Sequence, residues 1–372
     1  ANCSCQITAS SGESRLSRLG QSHQGVRGAG CTSRKFYGKP PDLKRKTSIA
    51  VVDIRSGWPL DCRRHMADIS IPTISLQSLN SPARRAESVR TVGRALEQSG
   101  FFIVEDHGIS PGQIAECYRV AESFFTLPEQ TKRTCHRPES NGQRGFTEFG
   151  REHAKDSAQP DLKEFFQIGR EGSNSLPPNV WPSEPAEFRE AIGRLYHQLE
   201  GIGMALLGAC SEHLGLEPDH LPRLAKGSDS ILRVIHYPPI EQSANSAARA
   251  SAHQDINFIT LLIQATEGGL ELQAPDGDWV AIEAKPNQLI VDSCDMMANL
   301  TNGQFRSTMH RVVNPPDLAK RRLSMPFFMH PTKDTDLTPL PACIERTSGE
   351  ADFPSWTAGE FLAKRLSEIG LG

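Results

Sequence analysis

The triplet His253-Gln254-Asp255 is the sharpest candidate for chemistry in the sequence. In an extended segment, residues i and i+2 point to the same side, so one imidazole and one carboxylate would project together. His310, 57 residues further along the chain, is the best candidate for a third ligand. Two histidines and one carboxylate on one face leave three metal positions open, as in non-haem Fe(II) enzymes that bind a chelating co-substrate and O2. The alternative is a histidine that is only hydrogen-bonded to a nearby carboxylate.

A second candidate, Arg322-Leu323-Ser324, begins twelve residues after His310. In a strand, Arg322 and Ser324 would lie on the same face, where a guanidinium and a hydroxyl together could hold a carboxylate. The alternative is an ordinary surface arginine, of which Arg321 next to it is an example. The position in a strand downstream of His310 favours the carboxylate site.

Segments with helical periodicity occupy much of the chain between Met66 and residue 226. Apolar residues recur at helical spacing over residues 83–98, 111–125 and 187–214, whereas residues 136–185 are rich in glycine and proline and are expected to be rich in loops. The last helical pattern covers residues 356–369.

Short strand-like runs dominate after Gly227, separated by turn signals such as Pro238-Pro239 and Asp276-Gly277. These runs cover residues 231–237, 258–263, 270–273, 279–282, 289–291, 310–313 and 322–328, and earlier ones lie at 69–76 and 101–104. Seven or more closely spaced strands predict an all-β barrel or jelly roll. The fold class is therefore mainly β with flanking helices, a jelly-roll core supported by a helical N-terminal half.

Composition divides the chain near residue 65. Residues 1–65 hold twelve Lys/Arg and four Asp/Glu, whereas the remaining 307 residues hold 29 and 40, so the net charge of −3 combines +8 with −11. We expect residues 1–65 to be a disordered basic extension, either a transit-type targeting peptide, an upstream stretch outside the working protein or a functional arm. The body is divided into a mixed, mainly helical support region at 66–226, a jelly-roll core at 227–335 and a C-terminal segment with a helix at 336–372.

The charge and the cysteines limit the partners and the compartment. A net charge of −3 gives no support to nucleic-acid binding, and no apolar run approaches the length of about 20 residues that a membrane helix needs. Five cysteines of the body show no disulfide spacing, which indicates a reducing compartment such as the cytoplasm. These cysteines are Cys117, Cys135, Cys210, Cys294 and Cys343.

From about residue 69 to the C-terminus, the order of motifs resembles the isopenicillin N synthase-like branch of the Fe(II)/2-oxoglutarate-dependent dioxygenases. The similar stretches stand in the family's order and are residues 100–109, Asp161-Leu162-Lys163-Glu164, His253-Gln254-Asp255 with Thr260-Leu261-Leu262, residues 301–315, and Arg322-Leu323-Ser324 with Pro326-Phe327-Phe328. Asp106 and the segment Ile235-His236-Tyr237 depart from the family, which usually has Asn at the first position and Asn-Tyr-Tyr at the second. The resemblance implies a distorted double-stranded β-helix.

The resemblance also implies roles for individual residues. His253, Asp255 and His310 would bind Fe(II), and Arg322 and Ser324 would hold the distal carboxylate of 2-oxoglutarate. Tyr237 would add a hydroxyl to that carboxylate site. Arg144 and Phe146 stand in a stretch similar to the loop that borders the family's pocket, although a solvated arginine is the favoured interpretation of Arg144.

The implied activity is oxidation of a small organic molecule, most simply hydroxylation, with O2 as oxidant and decarboxylation of 2-oxoglutarate to succinate. Ascorbate could stimulate turnover. One alternative is an oxidase of the isopenicillin N synthase type, which uses O2 without 2-oxoglutarate. A second alternative is a non-catalytic jelly-roll binding protein.

Overall fold

The computed structural model describes residues 71–152, 160–173, 175–240 and 248–368. The predicted extension at 1–65 lies outside the described residues. The helices are α1 Leu76–Leu79, α2 Arg85–Gln98, α3 Pro111–Phe125, α4 Glu129–Arg133, α5 Phe188–His213, α6 His220–Ala225, α7 Asp295–Leu300, α8 Pro341–Arg346 and α9 Ala358–Glu368. The strands are β1 Thr73–Ser75, β2 Phe101–Glu105, β3 Gly145–Thr147, β4 Glu164–Gly169, β5 Ile231–Tyr237, β6 Ala250–His253, β7 Ile259–Ile263, β8 Leu270–Gln273, β9 Trp279–Ala281, β10 Leu289–Ser293, β11 His310–Val312, β12 Arg322–Ser324 and β13 Pro326–Met329.

The described strands form two sheets. The large sheet has the order β1-β2-β10-β7-β13-β5-β4-β3, with β12 also paired to β5, and the small sheet has the order β6-β11-β8-β9. Strands β5 to β13 all lie within residues 231–329, while β1 to β4 extend the large sheet at its two ends. This mainly β architecture with helices around a jelly-roll core confirms the predicted fold class.

The predicted helices form where the apolar spacing indicated. Helix α3 begins at Pro111, and the hydroxyl of Ser110 accepts the amide N–H of Gln113 at 3.2 Å, which is a normal helix N-cap. Helix α5 packs its buried stripe on β13 at Gly203, where a methyl group would overlap the sulfur of Met329. The glycine therefore permits the close approach of helix and sheet that supports the core.

The local structure differs in detail from the predictions at two places. Residues 136–185 are not only loops, because they contain β3 and β4, and all six residues of β4 are buried. The alternation of polar and apolar residues typical of a strand does not match exposure there, because the polar side chains of β4 are also buried and have charged or hydrogen-bonding partners. Glu164, for example, contacts Lys132 at 2.6 Å and His236 at 2.8 Å. The single strand expected at 322–328 is two strands, β12 and β13, divided at Met325.

None of the described helices combines the length and the apolar character needed to cross a membrane.

Candidate active site

The three predicted metal ligands come together at the end of the small sheet. His253 ends β6 and His310 begins β11, and the two residues are antiparallel partners in register, which places their ring centroids 4.4 Å apart. Asp255 follows β6 by two residues, and its Oδ1 lies 3.7 Å from His253 Nε2 and 3.8 Å from His310 Nε2. The strand pairing thus brings together ligands that are far apart in the sequence.

Backbone and side-chain hydrogen bonds orient the three groups. The Nδ1 atoms of His253 and His310 lie 2.7 Å and 3.2 Å from the carbonyl oxygens of Ser251 and Thr308. Because a carbonyl only accepts, each Nδ1 carries the proton and each Nε2 presents a lone pair. The Thr260 hydroxyl donates to Asp255 Oδ2 at 2.6 Å, which leaves Oδ1 available. Such outer contacts fix a ligand's tautomer and direction.

The donor set fits a divalent transition metal. One ligand atom from each of the three residues lies within 4.8 Å of the others, and the separations from Asp255 Oδ1 are shorter than two metal–ligand bonds of about 2.1 Å each. Burial, together with the charge of His310, lowers the pKa of His253 to about 4, so this imidazole is neutral at physiological pH and ready to coordinate. Two imidazoles and one carboxylate are the ligand set of non-haem Fe(II) sites.

The predicted carboxylate site lies on the neighbouring strands of the large sheet. In the antiparallel pair of β12 and β5, Arg322 is opposite Tyr237 and Ser324 is opposite Ile235. The Nε of Arg322 donates to the carbonyl of Glu267 at 3.0 Å, while its buried Nη1 has no hydrogen-bond partner. A buried donor without an acceptor is costly, so this atom indicates a ligand that carries an acceptor. The side chains therefore fit the carboxylate of a co-substrate.

One cavity of about 370 Å³ connects the metal ligands with the carboxylate site. His253, Asp255, His310, Arg322, Ser324 and Tyr237 all line it. Its volume is near the lower end of the range of about 300–1,000 Å³ usual for small-molecule sites. The chemistry that the cavity can support is therefore oxidation of a small compound beside a metal-bound co-substrate.

A charged cluster forms one wall of the cavity and contains part of the Asp161-Leu162-Lys163-Glu164 motif. Lys163 Nζ lies 2.7 Å from Glu152 and 2.8 Å from Asp161, and Arg233 Nη1 lies 3.0 Å from Glu152. Burial would raise the pKa of Glu152, but Arg233 and Lys163 outweigh it and hold that pKa at about 2. The motif predicted at this position thus lies in the cavity wall as a compensated ion-pair network.

Asp292 and Cys294 lie close to the metal-ligand candidate Asp255, and neither was predicted to be part of the site. Asp292 lines the cavity from β10, and its carboxylate, Asp255 and the Cys294 thiol lie close enough together to be a second candidate ligand group. Burial raises the pKa of Asp292 and of Cys294 well above their usual values, and the charge of Asp255 raises that of Asp292 further. The protonated forms of both groups are therefore favoured, and protonated groups are weaker ligands than the His–Asp–His set.

The far side of the cavity holds further residues that no motif indicated. His330 follows β13, and Leu362, Arg365 and Leu366 project from α9. Alternation along β13 could have identified His330, because Pro326, Phe328 and His330 share a face. No sequence pattern places α9 over the cavity, since that contact is purely tertiary.

The expectations for Arg144 and Phe146 were wrong. Neither residue lines the cavity. Phe146 packs in the main core against Phe124, with ring centroids 5.9 Å apart. Arg144 is neither solvated nor in the pocket, because its side chain is fully buried beside Gly169 and 3.9 Å from Asp229. Its neighbour Gln143 is the residue of this stretch that reaches the cavity.

Comparison with known proteins gives two family matches. Residues 71–184 match the family described as the N-terminal region of non-haem dioxygenases in morphine synthesis, and residues 228–331 match the 2OG-Fe(II) oxygenase superfamily. The second match contains all six residues assigned here to the metal and carboxylate sites.

Individual proteins are similar over nearly their whole length. The proline hydroxylase buaE of Petromyces alliaceus is 31% identical over 303 residues, which cover 77% of this chain and 94% of that protein. A crystal structure of a 2OG-Fe(II) oxygenase family protein from Caulobacter crescentus is 37% identical, with a TM-score of 0.72 and coverage of 80% and 99%. A full-length Neurospora crassa protein, solved in complex with alpha-KG and thymine, is 26% identical, with a TM-score of 0.72 and coverage of 80% and 96%.

Proposed function

Because this chain belongs to the 2OG-Fe(II) oxygenase superfamily, we propose that it hydroxylates a C–H bond of a small organic molecule. The chain is a 2-oxoglutarate-dependent dioxygenase that uses Fe(II), 2-oxoglutarate and O2. In the proposed reaction one oxygen atom enters the product and the other enters succinate, while CO2 leaves from 2-oxoglutarate. Iron and 2-oxoglutarate supply the activation of O2 when they are bound.

The proposal rests on two groups of side chains that line one cavity and present atoms without a hydrogen-bond partner in the described part of the protein. His253, Asp255 and His310 present an unshared Nε2, Oδ1 and Nε2 to a common point. Arg322 presents a buried guanidinium N–H without an acceptor to the same cavity. We assign the first group to Fe(II) and the second, with Ser324 and Tyr237, to the distal carboxylate of 2-oxoglutarate.

The chain's own residues orient the reactants and exclude water. Hydrogen bonds orient the three ligands before the metal binds. They are made by the carbonyls of Ser251 and Thr308 and by the hydroxyl of Thr260. Leu362 and Leu366 of α9 cover the cavity with apolar surface. Apolar lining of this kind would limit the access of water to the reacting groups and help to hold the substrate near them.

The substrate is a small molecule, and its identity is proposed only by class. The Neurospora crassa neighbour was solved with thymine, and the relative buaE is named a proline hydroxylase. Thymine and proline are both compact enough for a cavity of about 370 Å³. Thymine and L-proline are therefore the first compounds to test.

A reducing compartment such as the cytoplasm is proposed for the enzyme. The proposal is supported by five buried free thiols in the described part of the chain, because disulfides are rare in reducing compartments. These are Cys117, Cys135, Cys210, Cys294 and Cys343. The domain boundaries at residues 65, 226 and 335 stay proposals of the sequence analysis.

Turnover assays test the function directly. The full chain is incubated with Fe(II), ascorbate, 2-oxoglutarate and a panel that includes thymine and L-proline, and succinate, O2 uptake and product mass are measured. We expect succinate in step with O2 uptake and a product heavier by one oxygen atom. Substrate-dependent O2 uptake without succinate would instead support the oxidase alternative.

Two variants test the residue assignments. Asp255→Ala should abolish turnover while the melting temperature of the metal-free protein stays nearly unchanged. Arg322→Met should weaken 2-oxoglutarate binding by about 10- to 100-fold, because a charge-assisted hydrogen bond is lost. Asp276→Ala, an exposed change in a turn, is the control. A fully active Asp255→Ala protein would refute the metal assignment. The binding-protein alternative would instead be favoured if the wild type never turned over and unfolded when its metal was removed.

A further inference from the structure

We propose that Arg249 is a second, buried guanidinium of the 2-oxoglutarate site, which acts from behind Tyr237 to strengthen binding of the distal carboxylate. This inference rests on the proposed function, because it takes Arg322, Ser324 and Tyr237 as the carboxylate site. Arg249 is not part of any motif that the sequence analysis identified. It is a positioning residue, since it does not line the cavity itself.

The geometry places two guanidinium groups close to one aromatic ring. Arg249 stands directly before β6 and is fully buried, and its Cζ lies 5.9 Å from the ring centroid of Tyr237. The Cζ of Arg322 lies 5.1 Å from the same centroid. Tyr237 lines the cavity at the carboxylate site, so both positive charges act on that end of the cavity.

Both guanidinium groups have unused donors. The Nη2 of Arg249 donates to the carbonyl of Lys320, but its buried Nε and Nη1 have no hydrogen-bond partner. The Nη1 of Arg322 is equally unpartnered. Among the residues that the structure describes, neither guanidinium has a carboxylate oxygen within ion-pair distance, whereas the nearby Glu267 contacts Lys320 at 3.4 Å. Burial lowers the pKa of Arg249, and the charge of Arg322 lowers it further.

Two buried positive charges without an anion are unfavourable for the protein alone. Taking a charge out of water is costly unless a partner of opposite charge compensates it. A carboxylate bound at Arg322 and Tyr237 would compensate both guanidinium groups at once. Arg249 should therefore favour ligands with a distal carboxylate and should have little effect on ligands that bind only the metal.

The chain offers a matched control for burial. Arg144 is also fully buried, and its Nε and Nη2 also lack partners, but it lies outside the cavity. Replacing Arg144 removes the same kind of side chain from the interior without touching the carboxylate site. The comparison of Arg249→Gln with Arg144→Gln separates a role in ligand binding from a general effect of deleting a buried arginine.

Calorimetric titration of the full chain, loaded with Mn(II) in place of iron, tests the inference with two ligands. 2-Oxoglutarate carries the distal carboxylate, whereas oxalate chelates the metal and has no such arm. We expect Arg249→Gln to weaken 2-oxoglutarate binding by about 10- to 100-fold, the size of a unit charge interaction over several ångströms at intermediate dielectric. Oxalate binding should stay within about twofold of wild type, and Arg249→Lys should restore most of the 2-oxoglutarate affinity because it keeps the charge.

The remaining outcomes decide against the inference. The inference is overturned if Arg249→Gln binds 2-oxoglutarate with wild-type affinity. It is also overturned if Arg249→Gln loses equal affinity for both ligands, or if Arg144→Gln loses as much affinity for 2-oxoglutarate as Arg249→Gln does. If Arg249→Gln does not fold, the decision rests on Arg249→Lys, whose equal loss for both ligands would also overturn it. Arg322→Gln is included as a reference, since unchanged 2-oxoglutarate binding there would refute the proposed carboxylate site itself rather than the role of Arg249.

Discussion

Arg365 of the C-terminal helix α9 lies 2.9 Å from the carboxylate of Asp295, and the backbone amide of Asp295 donates to the carbonyl of the metal-ligand candidate Asp255 at 2.9 Å. The other oxygen of Asp295 accepts the hydroxyl of Ser307 at 2.6 Å. Asp295 thus connects three parts of the protein: its carboxylate contacts α9 and the segment that leads to β11, and its backbone amide contacts the turn that carries Asp255. The last helix of the described chain is attached to the site through this residue.

Arg365→Gln should loosen α9 without unfolding the protein. Ala358 is the one fully buried residue of this helix in the part of the chain that the structure describes, so the ion pair is a main attachment. We expect amide exchange in α9 to become about tenfold faster and global stability to fall by about 1 kcal/mol, as for a partly buried ion pair. Mass spectrometry of hydrogen exchange measures the first effect.

Lys364→Gln is the matched control for this prediction. Lys364 lies on the same helix and contacts the ring of Trp356 rather than Asp295. Its replacement should leave amide exchange in α9 close to the wild-type rate. Equal exchange in the two variants would show that the Arg365–Asp295 contact does not hold the helix.

Thr260→Val should weaken metal binding by about 10- to 100-fold, as is usual when an outer contact of a ligand is removed. The Thr260 hydroxyl donates to Asp255 Oδ2 at 2.6 Å, and valine keeps the side-chain shape but not the donor. Competition with a metal-sensitive dye measures the affinity. Thr338→Val removes a similar bond to Asp336, also at 2.6 Å, on an exposed segment far along the chain. Equal metal affinity of the two variants would contradict the orienting role of Thr260.

Glu152→Gln should destabilise the protein by about 3 kcal/mol, because it leaves Lys163 and Arg233 buried with less negative charge. Wild-type Glu152 has a pKa of about 2 in the folded protein, below its ordinary value of 4.5. Its stabilising contribution is therefore complete above pH 4.5 and is lost as the pH falls toward 2. Denaturant unfolding between pH 2 and 5 should show this loss in the wild type and not in the variant.

An exposed ion pair is the control for Glu152. Glu187 lies 3.9 Å from Arg119, and both side chains are 56% exposed. Glu187→Gln should change the free energy of unfolding by less than about 0.5 kcal/mol. A similar small effect of Glu152→Gln would mean that the network in the cavity wall contributes no net stability.

The sequence predicted the parts of the site that depend on strand alternation. Each of two residue pairs has one residue between its members, and the structure places both pairs in the cavity. The pairs are His253 with Asp255 and Arg322 with Ser324. His310 needed a strand pairing that the sequence alone could only suggest, and the resemblance to a family supplied it. The proximity of these residues was predictable because local geometry and the order of motifs constrain it strongly, and their roles as ligands stay predictions.

Residues that reach the site through tertiary packing were not predictable in this way. Arg249 and Arg365 each look like ordinary charged residues, and only burial without a complete set of partners distinguishes them. Strand β4 was missed because its polar residues are paired inside the protein, which removes the usual alternation. Arg144 was misplaced because a buried arginine beside Gly169 has no signature in a glycine-rich stretch.

Metal-free wild-type protein should lose stability as the pH falls from 6.5 toward 4, and His330→Gln should lose less. Burial lowers the pKa of His330 to about 4, although Asp229 and Asp255 pull it upward, so the folded state holds this imidazole neutral. The unfolded chain takes up the proton near pH 6.5, so the stability present above that pH is lost as the pH falls through the interval. Since His330 lines the cavity and is only partly shielded, we expect a difference of about 1–3 kcal/mol between pH 7 and pH 4. His253, whose pKa is also about 4, should leave a residual slope in the variant. Identical slopes in the two proteins would show that His330 is charged in the folded state and contradict this account of the cavity.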